Sequence, residues 1–271
     1  MPELPEVETV RRGLEPQICG RRIVGVICRV PRLRLPLDPQ LEMLLGGQVI
    51  HAISRRAKYL LFKLDKGTLL LHLGMSGVLR LVKSEAPIAK HDHVDLRLDD
   101  GQLLRFNDTR RFGLLLYLQG DPNLHSLLQH LGPEPLETDL PEDYLFTRSR
   151  KRNLAIKNFI MDQKVLVGVG NIYASEALFA AGIDPRRKAG RIKRQESITL
   201  LRCIQAILAE AIIAGGTTLK DFRQSDGRPG YFKQQLQVYG RKGMGCLQCD
   251  GTIQQVTLGQ RSTYFCENCQ G

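Results

Sequence analysis

The stretch YLLFKLDKGTLLLHLGMSGVLRLV, residues 59–82, decides the fold. It holds three apolar runs, Tyr59–Leu64, Leu69–Leu73 and Val78–Val82, each strand-sized and none long enough for a helix. Asp65-Lys66-Gly67 separates the first two and is a turn signal. Working outward, Ile23–Val30, Val94–Leu98, Leu103–Phe106 and Gly113–Leu118 repeat the pattern, with Asp99-Asp100-Gly101 as a second turn. Only one small helical interruption, near Gln40–Leu45, breaks the series. Many short strands at close spacing predict a sandwich or a barrel.

The flanks differ from this centre. Pro5–Leu14 reads as a short helix, because Pro5 suits an early helical position and Val7, Val10 and Leu14 recur at helical spacing. Pro16 is expected to stop it. After residue 119 the period becomes helical, with segments near 142–148, 153–162, 171–181 and 195–214. Gly182 and Gly215-Gly216 close two of them, and the proline-rich stretches 132–135 and 139–141 read as a linker and a helix start. The order is β-rich, then helical, then a small cysteine module.

That module is the most specific local signal. Cys246-x2-Cys249 and Cys266-x2-Cys269 are two hooks sixteen residues apart, each presenting two thiolates to one tetrahedral zinc ion. Between them, Thr252–Thr257 and Ser262–Phe265 read as a hairpin joined by Leu258-Gly259-Gln260, with Arg261 at its tip. Four protein ligands leave no open position, so the zinc is expected to be structural and not catalytic. Cys19, Cys28 and Cys203 read as small buried hydrophobes.

Charge points to the partner. The chain carries 39 Lys+Arg against 28 Asp+Glu, net +11. Residues 1–147 hold 19 of each sign, so the whole excess falls in residues 148–271. Such a basic half implies a polyanion partner or an anionic membrane surface. No apolar run reaches the roughly 18–20 residues of a membrane span, and the N-terminus is acidic where a signal peptide is basic. A cytoplasmic protein is expected.

Several motifs carry two readings on their residues alone. Removal of Met1 would expose the secondary amine of Pro2, a nucleophile toward carbonyl-like carbon, with Glu3 and Glu6 at hand to move protons. The same residues also make an ordinary helix start, with glutamates that complement its dipole. Arg55-Arg56-Ala57-Lys58 either aims a cation at a phosphate or forms a solvated edge. Val167–Asn171 is a glycine turn, with Asn171 as N-cap, that either cradles an anion or packs two helices. Thr109–Phe112 places Arg110 and Phe112 as a base-reading cation and a stacking wedge, or as a surface arginine beside a core aromatic. His91-Asp92-His93 reads as hydrogen-bonding, since nothing nearby completes a metal set.

Taken together, these blocks resemble the bacterial formamidopyrimidine-DNA glycosylase family along the whole chain. The resemblance rests on residues 2–9, 55–61, 72–77, 90–95, 167–175 and 215–232 and on the finger. It implies an α+β multidomain fold. A catalytic β-sandwich with its leading helix would occupy 1–133, a helix–two-turn–helix domain with a lesion-capping loop 134–236, and a zinc finger 237–271, with DNA in the cleft. It implies removal of oxidised purines from damaged double-stranded DNA and strand cleavage by β,δ-elimination, with one structural zinc, no catalytic cofactor, a monomeric chain and a nucleoid-associated cytoplasmic setting.

By the same resemblance, Pro2 attacks C1′ of the flipped nucleotide, Glu3 is the main acid/base and Glu6 assists. Lys58 and Arg261 hold phosphates at the reacting nucleotide. His72, His91, Asn171, Tyr239 and Lys157 bind DNA around it. Met75, Arg110 and Phe112 fill the hole left by the base, and Thr217, Leu219, Lys220, Asp221 and Phe222 form the capping loop. Two rivals stand beside this reading: the sister glycosylase for oxidised pyrimidines on the same fold, and a non-enzymatic zinc-finger DNA-binding protein.

Overall fold

The computed structural model describes residues 2–137, 139–216 and 235–271. The chain divides into two compact units. One is Met1–Gln129 with the described part of Ala214–Lys233; the other is His130–Ile213 with the described part of Gln234–Gly271. The second unit holds both the helices and the cysteine hairpin.

The first unit is a β-sandwich. One antiparallel sheet runs β1 (Ile23–Cys28), β6 (Asp92–Leu98), β7 (Gln102–Asp108), β5 (Gly77–Lys83); the other runs β2 (Ala52–Arg56), β3 (Tyr59–Leu64), β4 (Gly67–His72), β8 (Leu114–Leu118). Phe62, Leu69, Leu71 and Leu115 of the second sheet share a core with Leu79, Val94, Leu96, Leu104 and Phe106 of the first. The Asp65-Lys66-Gly67 turn closes the β3–β4 pair, with Leu64 opposite Gly67. β2 and β3 are separate strands that pair antiparallel. The chain reverses through Ala57, whose φ of 54° puts a non-glycine residue in the left-handed region.

Helix α1 spans Leu4–Ile18. Leu4, Val7, Val10, Leu14 and Ile18 are all buried on one side, at helical spacing. Pro16 does not stop it. A proline in the last turn forfeits a single hydrogen bond, and burying Ile18 below it offsets that loss. A short helix, α2 (Leu41–Leu45), sits beside β1.

The second unit contains α3 (Tyr144–Ser149), α4 (Ile156–Met161), α5 (Asn171–Ala180) and α6 (Arg194–Ile213), followed by the hairpin β9 (Ile253–Leu258) and β10 (Arg261–Cys266). The turn between β9 and β10 is the two residues Gly259 and Gln260, with φ of 54° and 61°. Two positive φ values give the tight hairpin turn whose twist suits the strands, so Arg261 opens β10 and does not cap a longer loop. Phe179 of α5 joins Val238, Ile253 and Cys266 in one small core, which is why the finger belongs with the helices. No described helix is long and apolar enough to cross a membrane.

Candidate functional site

Pro2 is buried at the head of α1. Its following peptide is fixed: the Glu3 amide donates to Glu6 Oε2 at 2.8 Å. The Glu3 side chain accepts the Glu6 amide in return, which completes a capping box. Both glutamates are 2% exposed. One helix turn thus holds Pro2, which removal of Met1 would make the terminal residue, beside two buried carboxyl groups in fixed orientation. The capping box is the geometry of the helix-start reading.

The 55–58 block resolves residue by residue. Arg55 is buried and donates to Glu8 at 3.2 Å and to the Ala57 carbonyl at 3.0 Å, so its charge is spent inside the unit. Lys58 is 9% exposed. It lies near His72, whose pKa falls to about 4 through burial first, then the positive charges of Lys58 and Arg34. His72 is therefore neutral at pH 7. Its Nδ1 accepts the Gly74 amide at 2.9 Å, so the ring proton is on Nε2. A neutral Nε2–H can donate to a phosphate without adding charge.

Met75, Arg110 and Phe112 occupy two neighbouring loops of the sandwich. The Arg110 guanidinium sits 4.7 Å above the Phe112 ring, and Phe112 is 44% exposed. His91 and His93 meet edge to face at 6.2 Å. Asp92 accepts Arg80 and Asn107 side chains at 3.0 and 2.8 Å. Hydrogen bonding, not metal binding, accounts for that motif.

In the second unit the N-cap of α5 is Gly170, not Asn171. The Asn171 side chain is claimed elsewhere. Its carbonyl oxygen accepts Lys157 Nζ at 2.6 Å and its amide donates to the Ser262 carbonyl at 2.9 Å. Lys157 is 1% exposed and also donates to Ser262 O and Thr263 Oγ1. Such burial makes it a brace between α4, α5 and β10, a role the sequence reading as a DNA contact did not contain. Tyr239 packs edge-on against Tyr264 at 5.0 Å, and Arg261 is exposed on β10. Glu176, unremarked in the sequence, is 4% exposed and accepts the amides of Gln237, Val238 and Tyr239 at 2.8–3.0 Å. Burial pushes its carboxyl up, and the three amides oppose that shift. The capping-loop residues Thr217, Leu219, Lys220, Asp221 and Phe222 lie outside the described residues.

The four cysteine sulfurs all lie within 4.8 Å of one another. Cys246–Cys269 and Cys249–Cys266 are 3.8 and 3.5 Å apart. Tetrahedral zinc with bonds of about 2.3 Å requires edges of about 3.8 Å, so the set fits the ion. Burial opposes the Cys246 thiolate, yet hydrogen bonds from the Gln248 and Cys249 amides and from the Cys266 and Cys249 thiols together hold that thiol down to about 7.

Three family models match in order: the formamidopyrimidine-DNA glycosylase N-terminal domain over residues 1–115, its H2TH domain over 131–223, and the zinc finger found in FPG and IleRS over 246–271. The chain is 56% identical over 270 residues to the formamidopyrimidine-DNA glycosylase of Thioalkalivibrio sulfidiphilus, with 100% of each chain covered. The chain belongs to the formamidopyrimidine-DNA glycosylase family. Among solved structures it superposes with a TM-score of 0.92, at 38% identity and 99% coverage of both chains, on a Lactococcus lactis FPG mutant in complex with Fapy-dG-containing DNA. The wild-type Lactococcus lactis FPG bound to DNA containing an oxidised pyrimidine gives the same TM-score, identity and coverage. Within this family the β-sandwich carries the N-terminal domain, and the helices with the cysteine hairpin carry the rest.

Proposed function

We propose that the chain is a base-excision repair glycosylase that removes oxidised purines, 8-oxoguanine and formamidopyrimidines, from damaged duplex DNA and then cleaves the strand. The carrying observation is the buried Pro2 whose following peptide is locked by the Glu3–Glu6 capping box. With Met1 removed, the Pro2 amine attacks C1′ of the extruded nucleotide, the glycosidic bond breaks, and the base leaves with a proton. Opening of the sugar leaves an iminium that draws electrons from C2′. Glu3 moves the protons, loss of one from C2′ expels the 3′ phosphate, and a second elimination expels the 5′ phosphate. Glu6 keeps the nucleophile's peptide in place through the Glu3 amide.

The remaining residues hold the DNA. Lys58, Arg261 and the neutral His72 contact phosphates at the lesion, and His91, Asn171 and Tyr239 contact the strand around it. Lys157 aims Asn171. Met75, Arg110 and Phe112 form a wedge in the space left by the base, with Arg110 facing the orphaned cytosine. Thr217, Leu219, Lys220, Asp221 and Phe222 cover the lesion. The chain works as a monomer in the bacterial cytoplasm, close to the nucleoid, and its finger holds one structural zinc.

Borohydride reduction tests the chemistry. The protein is expected to be trapped covalently on an 8-oxoguanine duplex, and Pro2→Gly to weaken or abolish trapping. Undiminished trapping by a chain that mass spectrometry shows to retain Met1 would overturn the mechanism. Excision is expected to favour 8-oxoguanine over thymine glycol; the reverse preference would overturn the purine assignment.

A further inference from the structure

Asp108, at the end of β7, is a carboxylate with no exposure at all, and every one of its polar atoms is engaged. Its Oδ1 accepts the Ser76 hydroxyl at 2.7 Å and the Arg110 amide at 3.3 Å; its Oδ2 accepts the Gly113 amide at 2.7 Å. Its carbonyl accepts His93 Nε2 at 2.9 Å and the Arg111 amide at 3.3 Å, and its own amide donates to the His91 carbonyl at 3.0 Å. Ser76 completes the set, because its oxygen also accepts the Arg110 amide at 3.1 Å.

Three distant sequence blocks therefore converge on one residue: 72–77 and 106–113 on the Asp108 carboxylate, and 90–95 on its backbone. Two of them also touch through backbone. Gly74 has φ +66°, and a Cβ there would lie 2.4 Å from the Gly113 nitrogen and the Phe112 carbonyl carbon. Arg111 is held at φ 54°, a conformation unfavourable for a bulky residue, and its amide donates a hydrogen bond to the Asp108 carbonyl there. Met75 precedes Ser76, and Arg110 and Phe112 flank Arg111, so the loops bearing all three proposed wedge residues are tied to the same carboxylate.

We propose that Asp108 and Ser76 are positioning residues that hold Met75, Arg110 and Phe112 as one preformed wedge, and so set base extrusion and the choice of base opposite the lesion. This rests on the wedge reading given above. Side chains ordered before DNA arrives do not lose that freedom on binding, so the binding energy is kept for unstacking the base.

The test is a double-mutant cycle between Ser76→Ala and Arg110→Ala, read by two signals. One is the fluorescence of a base analogue placed opposite the lesion, which reports extrusion. The other is the ratio of kcat/KM for 8-oxoguanine paired with cytosine to that for 8-oxoguanine paired with adenine. Ser76→Ala is expected to slow extrusion and lower the pairing ratio about tenfold, the scale of one lost buried hydrogen bond. In the Arg110→Ala background its further effect on the pairing ratio is expected to be small, because that ratio is read through Arg110. Wild-type behaviour of Ser76→Ala, or an equal loss in both backgrounds, would overturn the proposal while leaving the wedge intact. An Arg110→Ala protein with normal extrusion and normal pairing ratio would instead overturn the wedge reading, and this proposal with it. Asp108→Asn, checked for folding by thermal melting, is expected to repeat the Ser76→Ala pattern more strongly; a folded Asp108→Asn protein with wild-type signals counts against the proposal.

Discussion

The two units differ in how they hold buried charge. In the first, Asp108 faces dipoles, but Glu8, Arg55, Asp92, Asp95 and Arg105 face opposite ions. Arg105, 2% exposed, meets Asp95 through two bonds of 2.9 Å, and Arg29 reaches the same carboxylate at 2.6 Å. Burial works against the charged form of Asp95, but the two arginines outweigh it and hold its carboxyl below the usual range. Glu8 is likewise surrounded by Arg11, Arg12 and Arg55. In the helical unit, two buried ions face protein dipoles instead: Lys157 rests on three oxygens and Glu176 on three amides. Net charge therefore says little about where charge acts. The electrically balanced N-terminal half carries Pro2 and the glutamates, while the basic half buries one lysine on three oxygens of its own.

Metal removal should separate the units most sharply. The finger shares its small core with Phe179 of α5, so a structural zinc stabilises more than the hairpin. Binding energies of such sites are on the order of 10 kcal/mol. Chelation, or Cys266→Ser, is expected to lower the melting temperature of the helical unit and to abolish tight DNA binding. Hydrogen exchange should show β3 and β4 still protected. Equal loss of protection in both units would show that the zinc stabilises the sandwich as well.

A smaller effect belongs to the sandwich alone. The folded pKa of His72 lies at about 4, below the ordinary 6.5. Between these values the unfolded chain binds more protons than the folded one, so stability falls as pH drops from 6.5 toward 4 and is unaffected by this group above 6.5. The full term is about 3 kcal/mol. His72→Asn keeps an acceptor for the Gly74 amide and removes the titration. Its denaturation midpoint should vary less with pH than that of the wild type across this window, and parallel pH profiles would show that His72 is not buried as a neutral ring.

How much of this was legible beforehand follows from the range of each interaction. Strands β3 and β4 were visible because Asp65-Lys66-Gly67 is a local turn signal. β2 was not, because its reversal uses Ala57, a residue with no turn signature, at positive φ. The four zinc ligands were legible from spacing alone. Asn171 read as an N-cap because capping is a local rule, yet its side chain is taken by Lys157, 14 residues away, and by Ser262, 91 residues away. The Asp108–Ser76 bond spans 32 residues, and neither partner carries a local pattern that announces the other. Patterns within one turn of chain were readable; bonds made only after folding were not.

Lys157 gives the finest test of the contrast between the units. If it braces Asn171 and contacts no phosphate, Lys157→Met removes a hydrogen-bond donor and leaves the Asn171 carbonyl without it. The expected cost is about 2 kcal/mol of stability, the scale of one buried polar group left unsatisfied. DNA affinity should fall because Asn171 loses its orientation, but the slope of log affinity against log salt should stay as it was, since no counterion-releasing contact has gone. Lys58→Ala is expected to flatten that slope by about 0.9, the value for a single phosphate contact on duplex DNA. A Lys157→Met protein whose slope flattens by the same amount would make Lys157 a phosphate ligand after all, and the basic half would then use its buried charge as the sandwich uses Lys58, to hold DNA directly.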